Sequence, residues 1–194
     1  LEAHGPWLGI TRSGRFAAVT NFRDPASHRE GAPSRGGLVR AFLTSTATPA
    51  AYVGALQADA ARYNGFSLLV GDAASLLYFS NRAGEARALA PGIYGLANDL
   101  LDVPWPKVRT GKARLAAQLN GSVSAERLLE PLDDTQAAPD DALPDTGVGL
   151  ERERQLSPVR SSSGTRSSAP MVAAGARPRV RKRKVSSLSA ASKK

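Results

Sequence analysis

Cysteine is absent from all 194 residues, which excludes a disulfide framework, a thiolate metal site and a thiol nucleophile within the chain itself. Histidine occurs only as His4 and His28. Neither has a carboxylate at ligand spacing, so no metal centre is expected. Aromatic residues amount to 6%. No apolar run approaches the roughly 20 residues that span a bilayer, and the first nine residues lack the basic region and apolar core of a signal peptide. The expectation is a cytoplasmic protein with no transmembrane segment. The sequence calls for no cofactor, and no oligomeric state follows from it.

A hydrophobic fraction of 42% is enough for one packed domain with some unpacked chain. The formal charge of +9 invites a nucleic-acid reading until it is located. Residues 151–194 hold 12 Lys and Arg against Glu151 and Glu153, leaving 14 basic and 15 acidic groups in residues 1–150. The basic excess therefore belongs to a tail, not to a folded face. Composition divides the chain into a domain over 1–156 and a Ser/Ala/Arg/Lys-rich tail over 157–194, expected to be largely disordered in isolation. The octamer Arg177 to Lys184 can attract phosphates or an anionic membrane face. It has no interleaved aromatic residue for base stacking, so a nucleic-acid partner is the least favoured reading.

Trp7 to Ile10 and Arg15 to Thr20 are short apolar runs around Thr11-Arg12-Ser13-Gly14, which predicts a β-hairpin. Asn21 to Gly37, rich in Pro, Gly, Ser and Arg, reads as a surface loop of the kind that lines a site. One helical turn or more is expected over Leu38 to Thr44. A longer helix is expected over Thr48 to Tyr63, with Pro49 in its first turn and Tyr52, Val53, Leu56, Ala60 and Tyr63 on one face. Phe66 to Val70, Leu76 to Ser80 and Glu85 to Leu89 follow as an antiparallel meander. Gly92 to Gly95 reads as a turn-forming stretch. Helices are expected over Lys107 to Leu119 and over Ser124 to Leu132, the latter with a serine cap. Asp133 to Pro144 reads as a linker or long loop.

Few residues invite chemistry. No serine sits in a nucleophile elbow, and neither Gly36-Gly37 nor Gly92 to Gly95 matches a phosphate-binding pattern. Asn21, Arg23 and Asn98 sit where chain leaves an apolar run, so their side chains can be aimed at a pocket. An asparagine amide there donates to a developing oxyanion without titrating. It equally caps a turn. Composition alone favours the cap.

The runs WLGITRSGRFAAVTNFRDP, PSRGGLV, YNGFSLLVGD, LLYFSNR and PGIYGLANDLLDVPWPKV, in this order over about residues 5 to 120, resemble the NRDE proteins, also called the Transport and Golgi Organisation family. The resemblance implies an α+β fold of the N-terminal-nucleophile hydrolase type, an αββα sandwich of antiparallel sheets, here incomplete. It implies a Met-Cys start and an Asn-Arg-Asp-Glu run ahead of Leu1, so the chain is expected to be a fragment without its nucleophile. The parent is then an amide-bond hydrolase or acyl-transfer relative in which the cysteine's own α-amino group acts as base. By the same resemblance Asn21 supplies an oxyanion donor, Asn98 is a second active-site asparagine and Arg166, in GTRSS, closes the site. Arg23, Ser34 and Arg35, in the NFRDP and PSRGG runs, are expected to meet the substrate. The partner is a small-molecule substrate or, in the alternative the family also implies, a hydrophobic ligand such as haem that is handed over without bond cleavage. Beyond Val159 the chain departs from the family pattern, and MVAAGARPRVRKRK lacks a strand alternation strong enough to pack.

Overall fold

Phe66, Leu68 and Val70 alternate with Ser67 and Leu69 in a strand whose two faces are both buried, and the rest of the molecule is arranged around it. The computed structural model describes residues 6–121, 123–160 and 171–174. Five strands form one antiparallel sheet in chain order: β1 (Leu8–Ile10), β2 (Phe16–Asn21), β3 (Phe66–Gly71), β4 (Leu76–Ser80) and β5 (Ala86–Ala88). The predicted hairpin is the β1–β2 pair. Its turn closes through Gly14 at φ 82°, a left-handed conformation that glycine adopts without strain. The meander is β3 to β5, with Leu69 opposite Tyr78 and Leu77 opposite Ala88.

One face of the sheet carries Ala17, Val19, Phe66, Leu68, Val70 and Phe79, and these pack on Leu38, Val39 and Phe42 of α1 (Gly36–Thr44) and on Val53 and Leu56 of α2 (Pro49–Asp59). The α2 start follows from its sequence: Thr48 accepts the Ala51 N–H at 3.2 Å and Pro49 fills the first turn, a cap worth about 1 kcal/mol. The helix ends earlier than its apolar periodicity predicts, and Ala60–Arg62 continues as a 3-10 turn.

The opposite face carries Leu69 and Tyr78 against Leu96 of β6 (Ile93–Leu96). The glycine-rich stretch expected to be a turn is thus a strand. Gly95 serves close packing instead, because a Cβ there would lie 2.6 Å from Val108 Cγ1 of α3 (Pro106–Leu119). β6 pairs antiparallel with β7 (Met171–Ala174), Ile93 opposite Ala174 and Leu96 opposite Met171. β7 lies in the segment that composition sets apart as a tail. A four-residue edge pairing needs only backbone hydrogen bonds, which side-chain alternation does not report.

Two short helices, α4 (Ala125–Leu129) and α5 (Leu150–Leu156), complete the described chain. The stretch expected as a linker is stitched down. Asp134 receives Arg114 at 3.2 Å, Asp140 receives Arg154 at 2.5 Å, and Ala138 N donates to Ser157 Oγ at 3.0 Å. Among the described residues no helix is long and apolar enough to cross a membrane.

Candidate functional site

β2 ends at Asn21, and the chain leaving it meets the loop that follows β6. Arg23 N donates to the Asn98 carbonyl at 2.7 Å, and Asn98 Nδ2 donates to the Asn21 carbonyl at 3.1 Å. Two asparagines separated by 77 positions are thereby held side by side. Asn98 is buried, whereas Asn21 is exposed and its side chain has no hydrogen-bond partner among the described residues.

The Asn98 loop is fixed at both base and tip. At the base, Gly95 N donates to Asp102 Oδ1 at 2.8 Å and Asp102 N returns to the Gly95 carbonyl at 2.8 Å. Asp102 adopts φ 63° to do so, a left-handed backbone that aspartate tolerates better than most side chains. Lys112 adds a 2.7 Å ion pair to the same oxygen. At the tip, Leu101 N donates to the Tyr78 hydroxyl at 3.2 Å, which lies 3.2 Å from Ser67 Oγ, and Ser67 donates to the Asp99 carbonyl at 3.0 Å. Since Ser67 spends its proton on Asp99, Tyr78 must donate to Ser67. Sheet hydroxyls therefore hold the loop in one position.

Arg23 is the electrostatic centre. Its guanidinium donates from Nη1 to Glu153 Oε2 at 2.6 Å and from Nη2 to Asn98 Oδ1 at 3.4 Å, and lies 5.0 Å from the centroid of the Trp105 ring. The Arg23 and Glu153 side chains are 10% and 4% exposed. Burial holds the guanidinium below its ordinary pKa, and Glu153 opposes that shift. Glu153 also accepts from the Thr146 N–H at 3.0 Å and from the Thr146 hydroxyl. Its carboxylate is fully engaged, and α5 is clasped to the sheet end through it.

Lys107 enters the same region from α3. Its ammonium donates to the Leu156 carbonyl at 2.9 Å and lies 5.7 Å from the Trp105 ring. Burial, with Arg23 adding to it and Glu153 opposing it, pushes the Lys107 pKa down to about 8 from an ordinary 10.5. Above pH 8 the folded state sheds this proton, while the unfolded lysine keeps it up to its ordinary value. Folding stability is therefore expected to rise across that window, by up to about 1.4 kcal/mol per pH unit. Urea melts at pH 7.5, 8.5 and 9.5 check this, and Lys107→Met removes the rise.

Of the other sequence-predicted residues, Arg35 reaches the rim. It donates to the Gly65 carbonyl at 3.1 Å, the same oxygen that accepts Phe22 N at 2.9 Å, and burial lowers its pKa. Ser34 is exposed at the start of α1 and only its carbonyl is used, by Gly37 N at 3.2 Å. Arg166 and the basic octamer lie outside the described residues. The surface loop is pinned rather than free: Arg29 and Asn64 exchange two bonds of 2.8 and 2.9 Å, and Arg82 pairs with Asp24 at 3.0 Å.

Glu153, Lys107, Ser67 and Tyr78 are the residues that sequence reasoning missed. Lys107 had a signal, its place in PWPKV. Glu153 had none, because a glutamate within LERERQL reads as solvated. No group of three or more His, Cys, Asp or Glu among the described residues has metal-holding geometry.

The chain matches the family model for Transport and Golgi organisation 2 over residues 1–176. It is 34% identical over 169 residues to the bovine Transport and Golgi organization protein 2 homolog, covering 81% of this chain and 59% of that one. The mouse homolog is 35% identical over 159 residues, covering 75% and 57%, and the human homolog 34% over 156 residues, covering 74% and 56%. The chain thus spans somewhat more than half the length of the curated relatives it matches. With the shared motifs and this extent of match, the chain belongs to the Transport and Golgi organisation 2 family.

Proposed function

We propose that the chain supplies the carbonyl-polarising half of an amide-bond hydrolase or acyl-transfer site in a cytoplasmic protein. The nucleophile is an N-terminal cysteine on the segment that the family resemblance puts ahead of Leu1. The observation that carries this reading is the meeting of Asn21 and Asn98 at one sheet end. Asn98 spends a single amide N–H on the Asn21 carbonyl, and the Asn21 side chain is unspent among the described residues, so several uncharged donors remain free. Donors fixed before reaction stabilise an oxyanion without reorganising, which is where such sites gain most of their rate. The pairing of two antiparallel sheets between α1 and α2 on one side and α3 on the other fits the N-terminal-nucleophile hydrolase type. On this reading Arg166 closes the site and Arg35 meets the substrate.

The reading of a hydrophobic-ligand carrier, haem included, has one feature in its favour. An apolar groove of 160 Å³ lies among Gly111, Leu115, Leu128, Leu129, Pro131, Leu132 and Val159. That is below the roughly 300–1,000 Å³ usual for a ligand pocket, so the hydrolase reading is preferred. The two separate experimentally in the chain preceded by its Met-Cys segment. An amide and thioester panel is expected to show turnover that vanishes when that cysteine becomes alanine. Persistent ligand binding with no turnover in either protein supports the carrier.

A further inference from the structure

Two buried cations stand near a single carboxylate at this site. Arg23 and Lys107 are both enclosed, yet Glu153 pairs with Arg23 alone, and no acid lies within ion-pairing distance of Lys107 among the described residues. Lys107 spends one of its three N–H donors, on the Leu156 carbonyl. No described residue takes the other two. Farther out, Arg152 and Asp99 act on Arg23 with opposite sign and offset one another. The cluster therefore carries an excess of one positive charge where burial makes an unpaired charge costly.

Space adjoins the excess. A cavity of 170 Å³ is lined by Lys107 together with Pro106, Thr110, Gln136, Ser157 and Val159. Asp134 also lines it, but its carboxylate is occupied by Arg114 at 3.2 Å and by Gln136 N at 3.0 Å. It does not neutralise Lys107.

We propose that Lys107 binds the carboxylate of a small organic acid in the cavity beside α3, with Arg23 behind it adding to the positive field. A monoanion restores neutrality, whereas a phosphate dianion overshoots it. The ammonium has two free donors for the carboxylate oxygens, and Pro106, Pro139 and Val159, which line the cavity, give the ligand's carbon skeleton an apolar wall. The inference depends on the acyl pocket proposed above only for what the acid is attached to. A chain that binds acetate and never cleaves an amide keeps this inference and loses that one.

The test is an NMR titration of the 194-residue chain at pH 7 with sodium acetate and N-acetylglycine, against phosphate and chloride at matched ionic strength. Both carboxylates are expected to saturate one site that shifts the Gln136 side-chain amide and, through Lys107, the Trp105 indole. Lys107→Met should weaken acetate by at least about tenfold, the size of one lost charge-assisted hydrogen bond. Arg62→Gln, at an exposed cation, should not change it. Because binding holds the ammonium protonated, affinity should also fall by about tenfold per unit above the Lys107 pKa of about 8. Absence of saturation, equal affinity in Lys107→Met, or tighter phosphate than acetate overturns the proposal. Should Lys107→Met fail to fold, an acetate affinity that stays flat from pH 7 to 9.5 in the unsubstituted chain overturns it equally.

Discussion

Glu153→Ala is expected to destabilise the chain by about 3–5 kcal/mol, the cost of stripping one partner from a buried ion pair. The effect is large because both side chains are enclosed, at 10% and 4% exposure. An exposed pair such as Arg62–Asp59, at 68% and 66%, contributes little. Without Glu153 the Arg23 guanidinium keeps, among the described residues, the 3.4 Å bond to Asn98 and the Trp105 ring. Thr146 loses an acceptor for both its N–H and its hydroxyl. Against a total stability of roughly 5–15 kcal/mol for a single domain, this is a fifth or more. Urea denaturation should show a lower midpoint at unchanged slope. The double substitution Arg23→Met with Glu153→Met should recover most of the loss, since an apolar pair of similar volume is commonly as stable as the buried ion pair it replaces. A loss below about 1 kcal/mol in the single variant would mean that the pair is as solvated as a surface contact.

How much of this was legible beforehand depended on how local the cause was. The β1–β2 hairpin and the β3–β5 meander were legible because each turn is written within a few residues, with Gly14 supplying the positive φ. The α1 and α2 faces were legible because Leu38, Val39 and Phe42, then Val53 and Leu56, repeat at helical spacing. β6 was misread as a turn because Gly92 and Gly95 carry turn chemistry. The reason for Gly95, its contact with Val108, lies on another element. The segment 133–144 looked like a linker because its acids are unpaired in sequence. Their partners Arg114 and Arg154 are found only in three dimensions.

The site divides the same way. Asn21, Arg23 and Asn98 were singled out from motif and strand-end position, and the fold brings all three together. What fixes them was not legible. Ser67 and Tyr78 read as ordinary strand residues, and Glu153 sits 130 positions from Arg23. A buried charge pair at such separation leaves no periodic trace in a sequence.

The central proposal is that Asn98 aims an amide donor at a reacting carbonyl, and Asn98→Asp tests it at nearly constant side-chain volume. Aspartate keeps the size and strengthens the bond to Arg23 but loses the N–H given to the Asn21 carbonyl, so a urea melt accompanies the assay to show that the variant is folded. It removes the N–H donors and puts a negative charge where an oxyanion would form. The deciding measurement is kcat and KM on an amide or thioester substrate, in the chain extended by the Met-Cys segment proposed above. The account predicts a kcat about 10²–10³-fold lower with KM changed by no more than a few-fold. An unchanged kcat in a folded Asn98→Asp protein would contradict it.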